Sequence, residues 1–160
     1  SDVCSSDLAT SSPGLAFLLA TVDAYGEDGY LDYWARLADN DVKVENGWSE
    51  AYYEAFSLYG GDRPIVVSYA SSPPAEVIFA DPPVDAAVTA SVTAAQSCFR
   101  QIEFIGILNG TEHEAAAQQL IDFMLGTTFQ EDIPLNMFVF PSNTTAELPE
   151  SFVKIGRAHV

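Results

Sequence analysis

The chain has 160 residues, of which 48% are apolar, so a compact fold with a sizeable core is expected. Twenty-three acidic residues against six basic residues give a formal net charge of -17, which argues against nucleic acids and anionic membranes as partners, because both attract clusters of Lys and Arg. No apolar run reaches about eighteen residues, so the sequence predicts no membrane-spanning helix.

The two ends of the chain resemble translated sequencing adapter. SDVCSSDL at residues 1–8 and IGRAHV at residues 155–160 match the two orientations in which such an adapter can be read. Both ends are therefore predicted to be artefacts, and Cys4, Arg157 and His159 take no part in the functional argument.

One cysteine and one histidine then remain, Cys98 and His113. A zinc cluster or an intrachain disulfide framework cannot be built from such a pair, so no metal site is predicted. Cys98 lies within an apolar run and is predicted to be a small core residue rather than a reactive thiol.

Two helices are predicted in the first part of the chain. Ser11 offers a hydroxyl as cap, a proline follows in the first turn, and Gly26 ends the apolar stretch LAFLLATVDAYG. A second helix is predicted over residues 30–38, where Leu31 and Trp34 recur at helical spacing, and Trp34 is predicted to be a core residue.

A strand, a helix and a strand follow. VKVEN at residues 42–46 predicts a short strand, and a helix is expected from Ser49 to about Tyr59, with a left-handed cap at Gly60. PIVVSY at residues 64–69 predicts a buried strand. This succession indicates a parallel sheet, in which ligands bind beyond the carboxyl ends of the strands.

Trp48 and Tyr69 lie just beyond the ends of these two strands. Two aromatic side chains at adjacent strand exits can hold a flat or cationic ring, and a cation over an aromatic face is worth about 0.5 to 2 kcal/mol. Alternatively, Trp48 is a hydrophobic staple for the helix that it precedes.

An enzyme interpretation rests on Ser49, because GWSEA resembles the nucleophile elbow G-x-S-x-G and follows a predicted strand. Ala51 replaces the last glycine of that pattern. The remaining histidine, His113, lies between two glutamates in the first turn of a helix, where exposure to solvent is expected rather than a role as base.

The later part of the chain predicts one strand and one helix. Cys98 to Leu108 is apolar and predicts a strand, in which Glu103 needs a partner for its carboxylate. Thr111 and Glu114 fit a capping box that opens the helix EAAAQQLIDFML, which Gly126 ends. A short helical turn and an extended aromatic piece are expected over residues 129–143.

Four segments together resemble the thiamine-binding substrate-binding proteins of bacterial ABC importers. These are TSSPG at residues 10–14, GWSEAY at 47–52, PIVVSYASSP at 64–73 and IPLNMFVFP at 133–141. Their order and spacing match over nearly all of residues 9–154, and GWSEAY followed by the strand exit SY-x-x-SP is the specific pair.

The resemblance implies a periplasmic-binding-protein-like α/β fold with two lobes joined by crossing strands. It places most of the second lobe at residues 9–97 and a hinge strand with the return into the first lobe at residues 98–154, so the chain is expected to be partial. It further implies a monomer without catalytic residues or cofactor, located in the periplasm or anchored by lipid outside the cell. This monomer would pass thiamine or a thiamine phosphate to a membrane permease that its paired ATPase drives.

The resemblance also assigns the site residues. Ser11 matches a serine that contacts the ligand, and Trp48 and Tyr69 match the tryptophan and the tyrosine of the two specific segments. Phe138 stands where relatives can have tryptophan. A phenylalanine at this position keeps an aromatic face but lacks the N–H donor of an indole. Glu103, near the implied hinge, is a candidate partner for the positive charge of thiamine.

Ferric-iron-binding proteins of the same superfamily are the alternative within the binding class. They place two adjacent tyrosines at the strand exit, where this chain has only Tyr69 between Ser68 and Ala70. Tyr52 and Tyr53 are adjacent, but they lie in a predicted helix, where neighbouring side chains point about 100 degrees apart and do not converge on one ion.

Overall fold

The computed structural model describes residues 2–94 and 97–156, which form two compact units. Unit 1 comprises the described residues of 1–70 and 91–101, and unit 2 comprises those of 71–90 and 102–160. The strands and helices are β1 (Val3–Ser6), α1 (Ser12–Asp39), β2 (Lys43–Glu45), α2 (Trp48–Glu50), β3 (Ile65–Val66), α3 (Ser72–Ile78), α4 (Glu114–Leu125), α5 (Thr127–Asn136) and α6 (Glu150–Gly156). Within these described ranges, no helix combines the length and the apolar character needed to cross a membrane.

Unit 1 contains a parallel sheet of three strands in the order β2-β1-β3, as the strand and helix spacing predicts. β2 and β3 do not pair with each other; Cys4 in β1 lies opposite Lys43 on one side and Val66 on the other. The central strand, Val3–Ser6, therefore lies within the segment that the sequence predicts to be an artefact. β3 is an edge strand with Ile65 53% exposed, so the prediction of a buried strand there is wrong.

The first helix is interrupted where the sequence predicts. Gly26 has φ 73° and ψ 169°, which divides α1 into two helical halves. Trp34 in the second half is half-buried; its ring packs edge-on against Phe17, and its Nε1 donates to Thr21 Oγ1 at 2.9 Å. Leu31, which shares the helical spacing, is 62% exposed, so the apolar spacing alone does not identify the buried face of this helix.

The helix predicted between β2 and β3 is broken into three pieces. α2 is followed by a π-helical turn at Ala51–Ala55 and a 3₁₀ turn at Ser57–Tyr59. Phe56 is extended between them, because the flanking backbone groups bond to Arg63 across an isolated bridge instead of continuing the helix. The left-handed conformation predicted at Gly60 is confirmed, with φ 96°.

Unit 2 begins with α3, a helix that the sequence analysis missed. Ser71 is its buried N-cap residue, and two prolines stand in its first turn, where their missing N–H groups cost nothing. α4 has the predicted extent and ends before Gly126. The predicted capping box is wrong, since His113 is the N-cap residue and its N–H donates to Thr111 Oγ1 at 3.2 Å.

Two amide side chains donate hydrogen bonds to backbone carbonyls at the end of α4. Gln130 is buried, donates to the carbonyl of Met124 at 2.7 Å and accepts from the backbone N–H of Asn143 at 3.1 Å. Asn143 in turn donates to the carbonyl of Leu125 at 2.9 Å. These bonds satisfy carbonyls at the end of α4. α5 has ten residues, so the predicted short helical turn is too short.

The strand predicted from Cys98 to Leu108 is absent from the described residues. Ile102 is 63% exposed, Phe104 90% and Leu108 84%, so this apolar segment neither pairs with the sheet nor enters a core. A strand needs a partner for its backbone groups, and no described strand pairs with this segment. Cys98 is exposed, so its prediction as a core residue is also wrong.

The two cysteines are expected to react at very different rates. Cys4 is fully buried in β1, and burial raises the pKa of its thiol to about 11, whereas Cys98 is exposed. At about pH 8 only about one Cys4 thiol in a thousand would be ionised, and the thiolate is the reactive form. We expect a thiol reagent to label Cys98 rapidly in the native protein and Cys4 only after denaturation.

The control for this labelling is Cys98→Ser, which should show no rapid labelling in the native state and one reactive thiol in denaturant. Rapid native labelling of Cys98→Ser would mean that Cys4 is not buried in the centre of the sheet.

Candidate functional site

The carboxyl ends of the three strands define one edge of the sheet in unit 1. The strands end at Ser6, Glu45 and Val66. Because the strands are parallel, the segments that leave them begin at the same edge, which is the usual place for ligands in sheets of this kind. Three of the predicted site residues, Ser11, Trp48 and Tyr69, belong to these segments.

The structure brings Trp48 and Tyr69 together. Trp48 is the first residue of α2, and its Nε1 donates to the hydroxyl of Ser68 at 2.9 Å, two residues beyond β3. The ring of Tyr69, which is 37% exposed, lies 6.1 Å from the Trp48 ring at an angle of 55°. A hydrogen bond between the segments after β2 and β3 thus fixes the orientation of the indole next to an accessible tyrosine.

A second tyrosine supports Trp48 from within its own helical segment. Tyr52 is buried and stacks on the indole with ring centroids 4.8 Å apart and planes 19° apart. The next residue, Tyr53, contacts the indole edge-on at 5.5 Å and is 50% exposed. This support was not predicted, although the four-residue spacing of Trp48 and Tyr52 in GWSEAY places them on one helical face.

Tyr52 and Tyr53, four and five residues after Trp48, both contact its ring. Both lie in the π-helical turn at Ala51–Ala55 that follows α2. Gly47 is the N-cap residue, so Trp48 occupies the first helical position. It therefore does not stand at the position before the cap, which a hydrophobic staple requires.

Ser11 lies at the start of α1, directly after a turn that leaves β1. Its hydroxyl donates to the hydroxyl of Ser6 at 2.7 Å and does not cap the helix, so the predicted capping role is wrong. The carboxylate of Asp7 accepts hydrogen bonds from the backbone of Thr10 and Ala9, which lowers the pKa of Asp7 and holds the turn. Ser11 is thereby tied to the end of the central strand.

The other two predicted site residues, Phe138 and Glu103, belong to unit 2. Phe138 follows α5 with φ 57°, and its ring packs edge-on against Phe79 at 5.0 Å. Glu103 lies in the exposed apolar segment and not in a strand. Their roles in binding stay predictions.

The basic side chains next to the sheet are engaged with acidic neighbours. Lys43 lies 2.6 Å from a carboxylate oxygen of Glu45, and the guanidinium of Arg63 lies 2.9 Å from a carboxylate oxygen of Asp41. The Arg63 contact lowers the pKa of the exposed Asp41 carboxyl. With six basic residues in the whole chain, these pairs leave the acidic excess of the sequence uncompensated.

The enzyme and iron interpretations find little geometric support. Ser49 is exposed in α2, and the sequence of unit 1 contains no histidine that could serve as its base. The rings of Tyr52 and Tyr53 lie at 83° to each other. Among the residues that the structure describes, no group of three or more His, Cys, Asp or Glu side chains is placed to hold a metal ion.

Comparison with known proteins gives consistent results. The model of a bacterial extracellular solute-binding protein family matches residues 1–154. Thiamine-binding periplasmic proteins of Escherichia coli (strain K12) and Brucella suis biovar 1 are 32% and 30% identical, over 93% and 91% of this chain and 43% and 42% of their own lengths. A solved structure named periplasmic thiamin binding protein superposes with a TM-score of 0.66 at 28% identity, covering 95% of this chain and 45% of that one.

These comparisons confirm the resemblance to thiamine-binding substrate-binding proteins and the periplasmic-binding-protein-like α/β fold. The chain spans less than half the length of the relatives it matches. The division into a second lobe at residues 9–97 and a return segment at 98–154 stays a prediction. Since the family model covers the sequence from residue 1 to residue 154, this chain belongs to the family of bacterial extracellular solute-binding proteins.

Proposed function

We propose that this chain is part of the solute-binding component of an ABC importer and that its ligand is thiamine or a thiamine phosphate. The observation that carries the proposal is the pairing of Trp48 with Tyr69 at the carboxyl edge of the sheet, with the indole fixed by Ser68. Relatives of 30–32% identity are named thiamine-binding periplasmic proteins, and their name supports the choice of ligand.

Thiamine suits this edge chemically. It carries a permanently positive thiazolium and a flat aminopyrimidine, and both rings can stack on an aromatic face. Tyr52 covers one face of the Trp48 indole, so a ligand ring would stack on the other. The net charge of -17 favours a cation over an anion of similar shape.

Ser11 would supply a hydroxyl to the alcohol or phosphate of the ligand. It stands at the start of the long helix α1, whose first N–H groups favour negative charge. Phe138 would offer a further aromatic face, and Glu103 would be a partner for the thiazolium charge. Both of these assignments come from the family resemblance and the types of side chain.

The proposed mechanism is binding and release, with no catalysis, cofactor or metal. A monomer in the periplasm, or anchored by lipid outside the cell, would capture the ligand and present it to the permease and its paired ATPase. Closure of two lobes around the ligand is the general way in which periplasmic binding proteins act. Ferric iron stays the alternative ligand, and a hydrolase that uses Ser49 is the alternative from another class.

A tryptophan-fluorescence titration tests the ligand. Trp34→Phe leaves Trp48 as the remaining tryptophan, and this variant is titrated with thiamine, thiamine diphosphate and ferric citrate up to about millimolar concentrations. We expect saturable quenching by thiamine, because its rings would stack on the indole. Saturation by ferric ion without a response to thiamine would replace the proposed ligand with iron, and no response to any of the three would overturn the binding proposal.

A further inference from the structure

Unit 2 holds Phe138 in a backbone conformation that bulky residues rarely adopt. Its φ of 57° lies in the left-handed region, where a residue other than glycine is strained by about 1 kcal/mol or more. Such residues persist where the surrounding structure holds them, and they concentrate at functional sites. Here the hydroxyl of the buried Ser71 donates a hydrogen bond to the carbonyl oxygen of Phe138.

The residue against which Phe138 packs is itself accessible. Phe79, at the end of α3, is 58% exposed, and its ring meets the Phe138 ring edge-on with centroids 5.0 Å apart and planes 86° apart. Its N–H bonds to the carbonyl of Ala75, so the two residues are one helical turn apart on the same face. Ala75 is half-buried and presents only a methyl group on that face.

The chemistry of this pair selects the kind of ligand that it can contact. Two phenyl rings offer negative π faces and no hydrogen-bond donor or acceptor. Set at right angles, they present the face of one ring next to the edge of the other, which suits a flat heterocycle or an organic cation. A phosphate group would find no donor on either ring.

We propose that Phe79 is a ligand-contacting residue that acts together with Phe138. The inference rests on the proposed function, since the ligand is taken to be thiamine. It adds a residue that neither the sequence motifs nor the family resemblance assigns. It also accounts for the strained backbone of Phe138, since that conformation would place the Phe138 ring against the ring of Phe79.

The chain supplies a matched control for the test. Phe123 in α4 is 55% exposed and packs edge-on against Phe129 at 5.7 Å, so it has the same exposure and the same type of contact as Phe79. We expect Phe79→Leu to weaken thiamine binding about 3- to 30-fold, the range of one aromatic contact with a cation. Phe123→Leu should leave the affinity unchanged, and Phe79→Tyr, which keeps the ring, should retain most of it.

A second measurement reports contact independently of stability. With 4-fluorophenylalanine placed at residue 79 or residue 123 of the full chain, thiamine should shift the fluorine resonance of the first and not of the second. Unchanged affinity in Phe79→Leu, together with an unmoved resonance at residue 79, would overturn the inference while leaving the proposed function intact. Failure of the wild-type chain to bind thiamine would instead overturn the proposed function, and the inference with it.

Discussion

Replacing Trp48 with alanine is expected to weaken thiamine binding by about 1 to 3 kcal/mol, or about 5- to 150-fold. The indole lies at the carboxyl edge of the sheet, stacked on Tyr52 and bonded through Nε1 to Ser68. It is thus rigid before the ligand arrives, so little side-chain entropy is lost on binding. Truncation removes both the stacking face and this preorganisation.

Two further variants distinguish the contribution of the Trp48 ring from those of its hydrogen bond and of the adjacent residue. Trp48→Phe keeps an aromatic face but cannot donate to Ser68, so its affinity should fall between those of the wild type and the alanine variant. Ser49→Ala changes the adjacent, exposed residue and should alter the affinity little. Calorimetric titration of each variant with thiamine measures these differences without relying on tryptophan emission.

The second tryptophan shows whether a loss of affinity is specific to the edge of the sheet. Trp34 is also half-buried in unit 1, and its Nε1 also donates to a hydroxyl at 2.9 Å, that of Thr21. It lies in α1 and not after a strand, so Trp34→Phe should keep the affinity for thiamine. Equal affinity in the wild type and in Trp48→Ala would remove Trp48 from the site.

The carboxyl edge of the sheet, which carries Trp48 and Tyr69, could be predicted because it follows from local sequence patterns. A short apolar strand, a helix start and a second apolar strand are each visible within about ten residues, and parallel pairing then places both strand exits together. The stacking of Tyr52 beneath the indole was equally local but was missed. Its signal in the sequence is the four-residue spacing from Trp48, which places the two rings on one helical face.

The central strand and the absent strand both depend on pairing, which is not local. Residues 3–6 lie in the segment predicted to be an artefact, so no strand was predicted there, and they form the middle of the sheet because β2 and β3 both pair with them. Cys98 to Leu108 has the apolar composition of a strand, yet a strand also needs a neighbour. No described strand pairs with this segment, so its apolar composition alone was not enough to predict a strand.

Phe138 illustrates what a resemblance can and cannot add. The resemblance selected the residue, but its positive φ, its bond from Ser71 and its contact with Phe79 depend on how α3 meets the end of α5. None of these can be derived from residue types at a given spacing. The residue that the further inference adds, Phe79, emerges only from this packing.

Gly14→Ala is expected to destabilise the protein by at least about 3 kcal/mol, the largest effect on stability that we predict. Gly14 is buried in the first turn of α1, where a Cβ would lie 2.5 Å from the carbonyl oxygen of Ser6 and closer still to that of Asp7. Both are backbone atoms at the end of the central strand, so they cannot turn aside as a flexible side chain would. Relief of the clash requires α1 to move away from β1.

Gly29→Ala is the matched control, because it makes the same change within the same helix. A Cβ at residue 29 would meet only the Cβ of Tyr25, at an ordinary 3.5 Å, so alanine there should stabilise the protein by about 0.5 to 1 kcal/mol. Urea unfolding followed by circular dichroism compares the two variants with the wild type. Since the clash exists only if residues 3–6 form the central strand, equal stability of Gly14→Ala and the wild type would show that α1 does not pack against the end of β1, and Ser11 would then lose its place at the edge of the sheet.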